Sequence, residues 1–151
     1  VQPNILLYYT GLTRVAKSVL GEIVRGMFLN SGRRLDVLNR IGDNATRLLD
    51  EIQEGRYAAV AASVARSWEL NQALDPGTNT PEIARLLQPL EPWIGGCKLL
   101  GAGGGGYLLL LARDSGAAQK IKEHLEAHPP NARARFVDLS ISQTGMQVTR
   151  S

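Results

Sequence analysis

Hydrophobic and polar positions alternate along the chain in blocks of two different periods. Ile5-Leu6-Leu7-Tyr8-Tyr9 is a short aromatic-rich run that reads as a strand ended by Thr10-Gly11. Val15, Val19, Ile23 and Met27 then recur every four residues, beside Ala16, Leu20, Val24 and Phe28, which predicts a helix stopped at Asn30-Ser31-Gly32. A second helix is predicted with Leu35, Leu38, Ile41, Ala45, Leu48 and Ile52 as its buried side and Gly55 as its stop. Tyr57, Val60, Val64, Trp68 and Asn71 outline a third, broken at Asp75-Pro76-Gly77.

Thr80-Pro81-Glu82 combines a capping hydroxyl, a proline suited to the first turn and a carboxylate at the positive end of the dipole, so a helix starts there. Pro89 and Pro92 keep it short. Lys98–Leu100 and Tyr107–Ala112 read as strands on either side of Gly101-Ala102-Gly103-Gly104-Gly105-Gly106. Asp114-Ser115 opens a last helix with Ala118, Ile121 and Leu125 inward, closed by Pro129-Pro130. Ala134 to Val148 reads as two strands turned at Thr144-Gly145. Helices clustered between strands, with a hairpin, predict a single α+β domain over residues 1–151: an antiparallel sheet with helices packed on one face.

Composition narrows the function classes. With 151 residues, 44% hydrophobic and 21% charged, the chain is an ordinary globular domain. The longest apolar run, Tyr107–Ala112, is far short of the roughly 20 residues that cross a bilayer, so no membrane role is expected. The net charge of +3 is scattered apart from Arg33-Arg34 and Arg133-x-Arg135, neither set among aromatics, which argues against nucleic acid. One cysteine, Cys97, points to a reducing, cytoplasmic compartment, and a thiol packed in the interior suits it better than a nucleophile. His124 and His128 have the spacing of a metal pair without a third ligand, and a cationic helix end suits them better; no metal site is expected. Trp68 and Trp93 read as core or interface anchors.

Seven of the 16 glycines lie between Gly95 and Gly106. Glycine costs conformational entropy, and a plain hairpin needs one or two. The run therefore predicts a contact role, in which bare N–H groups converge on a phosphate or a neighbouring segment approaches closely. Gly101-x-Gly103-x-x-Gly106 matches the dinucleotide fingerprint literally, but a strand and not a helix follows. A Walker loop fails because Tyr107 stands where lysine is required. Thr10 and Arg14, where the first strand passes into a helix, and Thr78 and Asn79, in a polar loop, are candidates for sugar or phosphate contacts. Cap, surface and turn roles remain open for all four. Lys98 precedes the loop and can support an anion or simply guard a strand edge.

Lys98-Leu99-Leu100-Gly101-Ala102-Gly103-Gly104-Gly105-Gly106-Tyr107 resembles the third motif of the GHMP small-molecule kinases. Leu7-Tyr8-Tyr9-Thr10-Gly11-x-x-Arg14 is similar to a segment of bacterial L-fucokinases and heptose 7-phosphate kinases, as is Trp68-Glu69-x-Asn71-x-x-Leu74 with Gly77-Thr78-Asn79. Arg133-Ala134-Arg135-Phe136-Val137 and Gln147-Val148-x-Arg150-Ser151 resemble the fucokinase half of the bifunctional fucokinase/fucose-1-phosphate guanylyltransferases. The resemblance implies the C-terminal domain of a GHMP sugar kinase with a ferredoxin-like antiparallel sheet. It implies ATP and Mg²⁺ held mainly by an N-terminal kinase half of the same chain, a small sugar substrate, and phosphorylation of L-fucose at its anomeric hydroxyl. The family's main phosphate loop, of the type Pro-x-x-x-Gly-Leu-x-Ser-Ser, and its catalytic aspartate have no counterpart here, and the chain begins at Val1. The expectation is a fragment that carries no catalytic residue, lacks activity alone and associates through exposed interface. Its cofactor-binding residues are then Gly101, Ala102, Gly103, Gly104, Gly105 and Gly106, and its substrate-binding residues Thr10, Arg14, Thr78 and Asn79. The alternatives are a heptose 7-phosphate kinase domain and a noncatalytic ferredoxin-like regulatory domain.

Overall fold

A computed structural model describes residues 4–13, 24, 31–101, 103–142, 144 and 148. Four strands form one antiparallel sheet: β1 (Ile5–Tyr9), β2 (Ile94–Leu99), β3 (Tyr107–Ala112) and β4 (Arg135–Val137), in the order β2-β3-β1-β4. That order is the ferredoxin-like one expected. Four α-helices accompany it among the described residues: α1 (Ser31–Gln53), α2 (Tyr57–Leu74), α3 (Pro81–Leu87) and α4 (Ser115–Ala127). The expected helix over Val15–Phe28 lies outside the described residues apart from Val24, and of the two expected C-terminal strands only β4 forms among them.

Alternation decides which sheet face is dry. Leu6, Tyr8, Leu108, Leu110 and Leu99 point to one side and pack with Ile83, Leu86 and Leu87 of α3, Ile121 and Leu125 of α4, and Trp68. Each such side chain contributes about 1.5–3 kcal/mol when fully buried. Tyr8 meets its cross-strand partner Phe136 edge-on, ring centroids 4.9 Å apart. The helix starts follow the polar signals in the sequence: the Thr80 hydroxyl accepts from Ile83 N, and the Asp114 carboxylate accepts from Ala117 N at 2.7 Å.

Helix α2 runs along the open edge of β2, reaching both faces of the sheet. Trp68 enters the core, while its neighbour Ser67 accepts a 2.7 Å hydrogen bond from Lys98 Nζ on the other side. The edge is thereby covered rather than left to pair with another strand.

Helix α1 departs from expectation in which face it buries. Val37, Asn44 and Glu51 are buried, with Ile41 and Leu48 half-buried, whereas Leu35, Ala45 and Ile52 of the expected inner face are exposed. On the buried side Asn44 Nδ2 donates to the Ser63 carbonyl of α2 at 2.9 Å, about one residue round from the helix's most apolar side. An apolar stripe is left outward.

Candidate functional site

Strand β1 ends at Thr10, and the chain turns at Gly11 with φ +69° before leaving toward Leu12. The loop joining β2 to β3 comes back to this turn. Thr10 N and Thr10 Oγ1 both donate to Gly106 O at 2.9 Å, Gly106 N donates to Leu12 O at 2.9 Å, and Leu12 N donates to Thr10 Oγ1. On its other side the loop meets the single turn Pro76–Thr78, where Gly104 N donates to Thr78 O at 2.8 Å. A third segment holds the turn from behind. Asn131 Nδ2 donates to Thr10 O at 2.8 Å, Asn131 Oδ1 accepts from Arg133 N, and an Arg133 guanidinium N–H donates to Gly11 O. Two segments distant in sequence thus grip the glycine loop directly, and a third fixes one of them.

This convergence explains the glycine composition. A Cβ on Gly103 would stand 2.7 Å from Thr78 Cγ2, and one on Gly105 would stand 2.5 Å from the Leu12 carbonyl oxygen. Gly103 and Gly105 also have φ of +81° and +154°, which side-chain-bearing residues rarely adopt. Close approach, one of the two expected uses of the run, is realised. The other is constrained: the Gly104 and Gly106 N–H groups are committed to Thr78 and Leu12, so contacts with an anion fall to the remaining N–H groups of the loop. Gly104 and Gly105 are buried, while Gly101 and the flanking Leu100 and Tyr107 are exposed. The loop therefore presents its Gly101 end, rimmed by two apolar side chains.

Of the candidate residues, Thr10, Thr78 and Gly103–Gly106 are brought together, Asn79 turns its side chain to α2, and Arg14 and Ala102 lie outside the described residues. Thr10 is wholly buried with its hydroxyl donating to Gly106 and accepting from Leu12, so it braces the loop instead of facing a ligand. Thr78, 4% exposed, packs under Gly103 in the same role. Asn79 donates to Gln72 Oε1 at 2.9 Å and keeps a buried Oδ1 without a hydrogen-bond partner. Lys98 points away, to Ser67, and burial holds its pKa below the ordinary lysine value. Leu12, Asn131 and Arg133 were not legible as site residues, because their contacts reach across as many as 122 positions and leave no local signature.

Other candidates settle into structure. Arg135 lies over the Tyr9 ring, 5.2 Å from its centroid. His128 caps the end of α4, its ring stacked on His124. Cys97 is half-buried, and burial first, then the Glu91 charge, push its thiol up to about 11. We expect it to resist iodoacetamide at pH 8 in the native protein and to react once unfolded, as mass spectrometry would report; rapid native alkylation contradicts this environment.

An antiparallel ferredoxin-like sheet with a braced glycine loop between two strands defines an α+β domain of GHMP kinase type. The family described as GHMP kinases C terminal matches residues 48–131, and the chain belongs to it. It is 45% identical over 146 residues to a Bacteroides fragilis protein named L-fucokinase/L-fucose-1-P guanylyltransferase, covering 97% of this chain and 15% of that one. It is 28% identical over 128 residues to the Bifunctional fucokinase/GDP-fucose pyrophosphorylase of Arabidopsis thaliana, covering 85% and 12%. The chain therefore spans a small part of the length of these relatives. Among solved structures, L. major mevalonate kinase superposes with a TM-score of 0.69 at 20% identity, over 88% of this chain and 40% of that one. The Lin0012 protein from Listeria innocua gives 0.79 at 16% identity, over 90% and 38%. No described helix is long and apolar enough to cross a membrane.

Proposed function

We propose that residues 1–151 act as the C-terminal domain of an ATP-dependent, cytoplasmic L-fucose kinase, completed by an N-terminal kinase half of the same polypeptide. The observation that carries this reading is the glycine loop, held rigid from both sides while its Gly101 end stays open beside exposed Leu100 and Tyr107. Phosphoryl transfer depends on positioning and charge neutralisation, and a fixed backbone surface against a triphosphate costs no reorganisation during reaction. The anomeric hydroxyl oxygen forms a bond to the γ-phosphorus as the bond to the bridging oxygen of ADP breaks. On this reading the hydroxyl proton passes to a base supplied by the N-terminal kinase half. Mg²⁺ and most of the ATP contacts belong, on the same reading, to the N-terminal half. Arg14 and Asn79 remain the proposed sugar contacts.

The test is ADP release with L-fucose, comparing the 151-residue chain with the natural polypeptide that carries it, and phosphorus NMR of the product. Fucose 1-phosphate from the natural polypeptide and no turnover by the chain alone are expected. Turnover by the isolated chain, or preference for a heptose 7-phosphate, overturns the reading.

A further inference from the structure

Lys98 is the one described lysine that the fold draws inward. Lys120 and Lys122 stand on the exposed face of α4. Lys98 lies near the end of β2, with Leu99 beside it entering the core and Leu109 opposite it on β3. Its side chain is half-buried and crosses to α2, where Nζ donates to Ser67 Oγ at 2.7 Å. One residue past Leu99, Leu100 N donates to Tyr107 O at 2.8 Å and closes the base of the glycine loop. The Lys98–Ser67 bond therefore ties α2 to the strand that enters the loop.

This amine has a hydrogen-bond partner but no counter-ion. The ion pairs Arg40–Asp36, Arg56–Glu54, Arg66–Glu69 and Arg85–Glu82 are made by arginine, and none of them reaches Lys98. Glu69, two residues beyond Ser67 on α2, is turned to Arg66 at 2.8 Å. A single hydroxyl does not replace the water that an ammonium gives up on burial, so the neutral amine is favoured and the pKa is held down.

A lysine so placed differs chemically from an exposed one. An ammonium has no lone pair to give, whereas a neutral amine is a nucleophile. The Ser67 bond fixes the end of a rotamer-rich stem, and partial exposure gives a small electrophile access.

We infer that Lys98 is a site of covalent acylation, taking its acyl group from a small activated carboxylic acid, an acyl phosphate or an acyl thioester. The Nζ lone pair forms a bond to the acyl carbon as that carbon's bond to the phosphate oxygen, or to the thiol sulfur, breaks. Phosphate or thiolate leaves with the electron pair, and the proton shed by nitrogen goes to solvent. The product is a neutral amide, bulkier than the amine by an acyl group, so the tie between α2 and β2 is loosened. The inference does not depend on the kinase reading.

The test treats the natural polypeptide with acetyl phosphate in one arm and acetyl-CoA in the other. Peptide mass spectrometry follows the initial acetylation of each lysine. Lys98 is expected to react at least about threefold faster than Lys120 or Lys122, and the arm in which it does so identifies the donor. In concentrated urea the three should react alike, because the advantage belongs to the fold. Ser67→Asp sets a carboxylate at Nζ and supplies the missing counter-ion, so it should slow Lys98 at least about tenfold and leave Lys120 and Lys122 unchanged. A circular-dichroism melt checks that this variant folds; if it does not, the native and urea rates of the parent decide alone. Lys98 no faster than the two exposed lysines in either arm, an advantage that survives unfolding, or a rate indifferent to a folded Ser67→Asp overturns the inference.

Discussion

Gly105→Ala is expected to destabilise the domain by about 3 kcal/mol and to lower phosphoryl transfer by the natural polypeptide at least about a hundredfold, whereas Gly101→Ala should cost about 1 kcal/mol. Both glycines have positive φ, +154° and +78°, so conformational strain is common to the pair. Space is not. A methyl on Gly105 would meet Leu12 O, C and Cβ at 2.5, 2.7 and 3.2 Å, whereas one on Gly101 finds nothing within 4 Å. The Leu12 backbone cannot retreat freely, because its carbonyl accepts from Gly106 N and its amide donates to Thr10. The loop must therefore leave its brace, and the Gly106–Leu12 and Thr10–Gly106 bonds go with it. Urea unfolding of the two variants separates crowding from strain without reference to activity. Equal losses would mean that the loop's fit against Leu12 contributes nothing.

The same geometry marks how far the sequence could be read. Elements whose ends are set by neighbours a few positions away were legible: the strand at Ile5–Tyr9, the Thr80 and Asp114 caps, and the long β3 run. The face of α1 was not. Two stripes one residue apart are both substantially apolar, and which of them meets α2 is settled by tertiary contacts such as the Asn44–Ser63 bond that periodicity does not encode. The glycine run was legible as a contact loop, yet periodicity carries no information on which segments press against it. Thr10 and Thr78 stood out as polar residues at element ends, and either ligand contact or bracing fits that pattern equally well. Only their burial decides between the two roles.

Asn131 illustrates the limit most sharply, and its replacement is expected to matter nearly as much as Gly105. The side chain donates to Thr10 O, accepts from Arg133 N, and its Oδ1 stands where a Cβ on Gly11 would be. Asn131→Ala leaves the Thr10 carbonyl and the Arg133 amide without these partners, at a cost of about 2 kcal/mol. Asn131→Asp preserves the acceptor and the volume but sets a carboxylate against the Thr10 carbonyl, so at neutral pH it should be no more stable than the alanine variant. Protonation turns that carboxyl into a donor and restores the contact, so its folded-state pKa lies above the unfolded value of about 3.9. The deficit is therefore full above the raised folded pKa and shrinks as pH falls toward 4, the sign required when the native state binds the extra proton. Gly11→Ala must expel the same side chain, so Gly11→Ala combined with Asn131→Ala should cost about 1 kcal/mol less than the two losses added. Stability of Asn131→Ala within about 0.5 kcal/mol of the parent, or an Asn131→Asp deficit that does not change between pH 7 and 4, would show that the turn holds the glycine loop without this clamp.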